Sequence, residues 1–181
     1  MKLHNIVSAL PLAVALSLSS PSSMAYSIDN LVHAGENASQ EAQSEAAARH
    51  FYTFWDTGDE GELGQAIGAT FTDHTLPPGR PQGPKGPATA SRTFRQAVPD
   101  LAVHVREMIV AGDYVTTHMV FSGHFTGIFP GSDGQRISGQ GQAIEFIATD
   151  LVKVANGRIT DNWHLEDNLT LLSRMGLMKT Q

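Results

Sequence analysis

Asn156-Gly157-Arg158-Ile159-Thr160-Asp161-Asn162-Trp163-His164-Leu165-Glu166-Asp167 is a turn dipeptide followed by a run that alternates apolar and polar residues. Side chains two apart in an extended strand share a face. Ile159, Asp161, Trp163, Leu165 and Asp167 are therefore expected on one side, with His164 and Glu166 opposite, in solvent or at a dimer contact. A carboxylate closing a face that carries Trp163, Leu165 and Ile159 is desolvated, which raises its pKa toward the range useful for moving protons near neutrality. Asp167 is on that ground the first candidate catalytic residue, with Trp163 beside it as a candidate ligand contact. Asp167 also directly precedes a helical run, Asn168–Met175, so it reads equally as an N-cap, a role that lowers its pKa instead.

Working outward, three more strands are expected near residues 101–111, 114–126 and 136–154, with the last at 158–167. They are joined by Gly112-Asp113, the loop 127–134 and Asn156-Gly157. Ahead of them, Ala47, Ala48, Phe51, Phe54 and Trp55 recur at three and four, predicting a helix over 41–56 that ends at Gly58. A short helix near 62–67, a strand Thr70–His74 and a helix 88–98 complete the first half. Pro77–Pro87 holds five prolines and three glycines and reads as a loop. Helices first and antiparallel strands afterwards imply an α+β fold, with helices packed on one face of a curved sheet.

Three segments carry a family resemblance. They are Phe94-Arg95-Gln96-Ala97-Val98-Pro99-Asp100-Leu101, Gly123-His124-Phe125-Thr126-Gly127-Ile128-Phe129-Pro130-Gly131, and Gly157-Arg158-Ile159 with Asn162-Trp163, Asp167 and Leu171-Leu172-x-x-Met175-Gly176. In this order and spacing they resemble the SnoaL-like polyketide cyclases, within the nuclear transport factor 2-like group. The resemblance implies a cone-shaped, curved antiparallel sheet with the N-terminal helices on its concave face. It also implies acid/base work for the aspartate at the position of Asp167. The family places a histidine on the preceding strand, where Leu151, Val152 and Lys153 stand here.

Other candidates are placed by pattern. Asp73 and His74 end a strand before the proline loop, at the expected mouth of the cone, as a pair for the polar end of a ligand or as surface turn residues. His118 and His124 share a face with Tyr114, Thr116 and Ser122, about 20 Å apart along the strand, so only one of them serves a single reacting atom. His118 is the better placed if that face lines a cavity. Asp150 ends the alternating run Gln142, Ile144, Phe146, Ala148, Asp150, pointing into a pocket or marking the exposed end of the face. Phe54 and Phe146 are expected among the apolar ligand contacts.

Residues 1–25 read as a signal peptide: Lys2, an apolar stretch Ile6–Leu18, and Ser23-Met24-Ala25 with cleavage after Ala25. Residues 26–40 are expected to form a flexible arm, and 41–181 a single domain. Cleavage leaves 156 residues with 11 basic against 18 acidic side chains, a net charge of −7. An acidic chain without a basic cluster argues against nucleic acid as a partner. No membrane segment is expected after cleavage. There is no cysteine, His-x-His, His-x-x-x-His, Walker loop, dinucleotide fingerprint or nucleophile elbow, so no metal and no cofactor is expected.

Two functions fit. One is an exported, cofactor-independent acid/base enzyme (aldol-type cyclase, isomerase or dehydratase) acting on a small apolar carbonyl compound. The other is a periplasmic or secreted module that binds an apolar small molecule without turnover. A sheet apolar on both faces also predicts a homodimer.

Overall fold

The computed structural model describes residues 26–131 and 134–178. The expected signal peptide, residues 1–25, lies outside them. Eight strands and four helices are described, in the order β1 (Ile28–His33), α1 (Ala38–Thr57), α2 (Glu60–Ala66), β2 (Ile67–Asp73), α3 (Lys85–Ala97), β3 (Ala102–Ala111), β4 (Tyr114–Phe125), β5 (Ile128–Pro130), β6 (Arg136–Ser138), β7 (Gln142–Ala155), β8 (Arg158–Glu166) and α4 (Asn168–Arg174). Six strands form one curved, unclosed sheet in the order β1-β3-β4-β7-β8-β2, and β5 pairs with β6 in a small separate hairpin.

The expected α+β fold holds, with three details to correct. The sheet is antiparallel only in its middle, because β1 runs parallel to β3 and β2 parallel to β8. Residues 28–33, expected within a flexible arm, form the edge strand β1. Its backbone pairs with Val105–Val110, and His33 reaches Glu45 on α1 at 3.0 Å, which ties the strand down from a second side. The long strand expected at 136–154 is also broken, with Gly139 and Gly141 separating β6 from β7.

Local chemistry sets the ends of these elements. Asn37 caps α1 by accepting from the Gln40 N–H, and Gly58 ends it at φ 78°, a left-handed conformation open to glycine. The turn between β7 and β8 needs positive φ at both central residues, and Asn156 (53°) and Gly157 (68°) supply it. The buried stripe of α1, Ala47, Ala48, Phe51, Tyr52 and Phe54, lies against the inner face of the sheet. There it meets Val105, Met119, Phe146, Ala148 and Val152 in one core.

Strand parity decides what faces inward, and two β-bulges alter it. In β3 the register slips at Arg106, so Val103 and Val105 are buried before it and Met108 and Val110 after it. In β8 the slip is at Thr160. Val154 pairs with Ile159, but Lys153 pairs with Asp161, leaving Thr160 unmatched. One extra residue turns every later side chain to the opposite face. Beyond the bulge, Asn162, His164 and Glu166 point inward, and Asp161, Trp163 and Leu165 point out, with Leu165 74 % exposed.

Candidate active site

The sheet, α1, α3 and α4 line an open, largely apolar cavity of about 610 Å³. Its walls include Trp55, Phe94, Phe121, Phe129, Phe146 and Leu172, and its rim carries Pro77–Arg80 from the proline loop. A second, small pocket of about 30 Å³ lies beyond it, lined by Asp73, Asp150, Asn162, His164 and Glu166 among apolar neighbours. Trp55, Arg80, Phe121 and Glu166 line both, so the small pocket is the polar floor of the large one. Phe121 and Phe146 stack at 5.1 Å between ring centroids to form part of the apolar wall.

Four acidic and imidazole groups meet at this floor, brought together by three strands. Asp150 sits on the inner face of β7 and is cross-strand partner to His164 on β8. Glu166 follows His164 two residues on, on the same face. Asp73 ends β2, where its carboxylate accepts from the Thr75 N–H at 2.9 Å, while the Gln82 side chain of the proline loop accepts from the Asp73 N–H and donates to the Asp73 carbonyl. The His164 imidazole is clamped between carboxylates, with Nε2 3.1 Å from Asp73 Oδ2 and Nδ1 2.9 Å from Glu166 Oε1. Its side chain is only 8 % exposed.

The electrostatics follow from that packing. Burial opposes the charge on His164, but Glu166, Asp73 and Asp150 together outweigh it and hold the pKa up at about 9. Burial likewise pushes Glu166 up, and the His164 hydrogen bond and charge, helped by Arg80, bring it below the usual range. Asp150 is the exception. It is 7 % exposed, and burial drives its pKa to about 7, with His164 opposing the rise and Glu166 and Asp73 adding to it. Two cations, His164 and Arg80, balance the two carboxylates Asp73 and Glu166, so a charge on Asp150 is the one left uncompensated. The Tyr52 hydroxyl donates to Asp150 Oδ2 at 3.3 Å, and burial beside that carboxylate raises the phenol's own pKa. Among the described residues, no group of three or more His, Cys, Asp or Glu side chains is disposed to hold a metal ion.

Of the candidates from sequence, Asp73, Asp150 and Phe146 come together at this cavity, and the others lie elsewhere. Asp167 caps α4, accepting from the Thr170 N–H at 2.9 Å and its hydroxyl at 2.7 Å. Those bonds hold its carboxyl below the usual range, the reverse of the expected rise. Trp163 stands on the outer face, its ring stacked on His74 at 4.4 Å, and His74 bonds Asp161 Oδ1 at 2.8 Å on that same side. His118 shares the outward face of β4 with Thr116 and His124, and the inward face carries Thr117, Met119 and Phe121. Phe54 is fully buried in the core under α1 and lines neither cavity.

His164, Glu166, Asn162, Tyr52 and Arg80 escaped sequence reasoning. The bulge reversed the first three, and Arg80 was hidden in a loop. The available signal was density of charge. Asp161, Asn162, His164, Glu166 and Asp167 are too many polar groups for a strand whose one polar face meets water.

A family model described as SnoaL-like polyketide cyclase matches residues 45–175. A proposed polyketide cyclase from Bacillus cereus is 34 % identical, with a TM-score of 0.73 over 87 % of this chain and 97 % of that one. The chain belongs to the SnoaL-like polyketide cyclase family. IdmH, a proposed polyketide cyclase from Streptomyces antibioticus, is 25 % identical over 74 % of this chain and 99 % of its own, with a TM-score of 0.64. A Catenulispora acidiphila protein with a ketosteroid isomerase-like fold shares the architecture at 18 % identity and a TM-score of 0.56, over 73 % of this chain and 93 % of that one. No curated protein sequence matches significantly. Membership in the SnoaL-like family points to a cofactor-independent, cyclase- or isomerase-like role.

Proposed function

We propose that this SnoaL-like protein is a cofactor-independent acid/base enzyme acting on a small, largely apolar carbonyl compound, with Asp150 as its proton-transfer group. The observation that carries the reading is a buried carboxyl with a pKa of about 7 at the polar floor of a 610 Å³ apolar cavity. At neutral pH such a group takes and returns a proton with little penalty in either direction. The carbon skeleton lies against Phe121 and Phe146, with its carbonyl toward Arg80 at the junction of the two pockets. The guanidinium stabilises the enolate oxygen as charge develops there. Tyr52 holds the Asp150 carboxylate in place, and the clamped imidazolium of His164 supplies the opposing charge. Aldol ring closure, isomerisation and dehydration all begin with this proton removal.

The test is exchange of the α-protons of 2-tetralone in heavy water, followed by NMR. Native protein and Asp167→Asn are expected to exchange them, and Asp150→Asn is expected to lose the activity. Exchange by Asp150→Asn at the native rate refutes the assignment.

A second reading, a module that binds an apolar compound without turnover, is favoured by one observation. Asp150 lines only the small pocket and is absent from the wall of the large one. Native mass spectrometry showing a ligand retained at full occupancy, with no exchange of any carbonyl acid, selects it. Export through residues 1–25 and pairing through the outer sheet face belong to either reading. The latter is supported by Ile147, Leu151 and Leu165, large apolar side chains exposed on that face.

A further inference from the structure

The pocket that holds Asp150 is the wrong size for a carbon skeleton and the right size for one small molecule. Its 30 Å³ exceeds the roughly 10–15 Å³ that a water molecule needs. It falls far below the about 300 Å³ at which ligand sites begin. Its walls present acceptors. Asn162 is 5 % exposed, lines this pocket, and its Oδ1 receives no hydrogen bond. A buried carbonyl left in that state costs free energy until a donor reaches it. Ionised Asp150 likewise only accepts. His164 has no hydrogen to offer either of them, since both its nitrogens are committed to Asp73 and Glu166. Two acceptors on one confined volume are served together by a molecule with two donor hydrogens, and Arg80, on the same wall, is a donor for that molecule's oxygen.

We propose that the small pocket is a water site held by Asn162 and Asp150, and that Asp150 exchanges its proton with the ligand in the large cavity through this water. The inference rests on the acid/base reading of the site. The step balances without an added reactant. The ligand's carbon gives a proton to the water oxygen as one of the water's own hydrogens passes to the Asp150 carboxylate, and the reverse transfer restores both. Asn162 is then a positioning residue, acting through the water it orients. One consequence is chemical. The proton removed from carbon enters a water that trades with bulk solvent, so a label at that carbon is washed out rather than carried to another position.

Two arms of the test need no ligand. A crystal structure of the native protein at about 1.5 Å is expected to show a water about 3 Å from both Asn162 Oδ1 and the Asp150 carboxylate. Asn162→Leu keeps the shape of the side chain and removes its carbonyl, so the water is expected to be lost. The ¹³C titration of the Asp150 carboxyl, assigned with Asp150→Asn, is then expected to move upward by about one unit, because the ionised form loses a donor. A dry pocket in the native crystal, or an unmoved Asp150 titration in folded Asn162→Leu, overturns the proposal. With 2-tetralone as the probe, Asn162→Leu is expected to slow α-proton exchange at least tenfold while leaving the dissociation constant unchanged, and a native rate refutes the relay. If the water is present but Asp150→Asn still exchanges 2-tetralone, or native protein exchanges none, the acid/base reading fails and the water site stands.

Discussion

Replacing Asp150 by asparagine separates the charge of this side chain from its shape, and the structure sets the size of the effect. Burial raises the carboxyl from 3.8 to about 7. A folded-state pKa above the unfolded one means that the native protein keeps a proton the unfolded chain releases. The associated stability is fully present below pH 3.8 and is lost as pH rises to about 7. Roughly three units at 1.36 kcal/mol each amount to about 4 kcal/mol. Asparagine never ionises, and it accepts the same hydrogen bond from Tyr52. Urea unfolding of native protein and Asp150→Asn is therefore expected to give nearly equal stabilities at pH 4, with the variant ahead by about 4 kcal/mol at pH 8. The same substitution is expected to abolish α-proton exchange, so the change predicted to damage activity most is a stabilising one at alkaline pH. A stability difference that is constant from pH 4 to pH 8 would show that Asp150 is not a buried group titrating near neutrality, and would remove the physical basis of its assignment.

Exchange of 2-tetralone is expected to rise as Asp150 ionises through about pH 7 and to fall as His164 loses its proton near pH 9, giving a bell-shaped profile by NMR. A flat profile above pH 7 would take His164 out of the charge balance. His164→Gln removes the cation that stands between Asp73 and Glu166, and a loss of about 3 kcal/mol at pH 7 is expected in urea unfolding. Gly127→Ala would place a Cβ 1.9 Å from the Gln96 carbonyl oxygen, where the chain after β4 crosses the end of α3. A cost of at least about 2 kcal/mol should appear as a lowered Tm. Sedimentation at micromolar concentration is expected to show a dimer that Ile147→Lys dissociates, and a native monomer would dismiss pairing through this face.

The architecture was legible because its signals are local and redundant. The stripe of α1, the proline loop and the Asn156-Gly157 turn each announce one element, and the order of elements leaves an α+β sheet as the arrangement. Edge strand β1 was not legible, because Ile28–His33 alternates weakly and earns its pairing only from a β3 that lies more than 70 residues away. The site was half legible. Asp150 lies within a clean alternation on β7, which has no bulge along its inner face, so parity alone puts it on the side of Ile144, Phe146 and Ala148, one of the two readings its sequence left open. The same reasoning applied to β8 failed at Thr160, and it exchanged His164 and Glu166 for Trp163 and Asp167. A bulge is a property of a strand pair, set by how two registers close on each other, and a single sequence shows only one of the two partners.

Thr160 touches neither cavity, yet it selects which half of β8 faces them. The strand stores two surfaces in one string of letters, Asn162-His164-Glu166 and Asp161-Trp163-Leu165, and a frame of one residue chooses between them. Point substitution at any pocket position edits one group at a time. Loss or gain of a residue at the bulge would exchange the three floor groups that β8 supplies for a tryptophan, a leucine and a differently placed acid in one event. A length change at this point of β8 would thus alter several pocket groups together while leaving the preceding strands as they are.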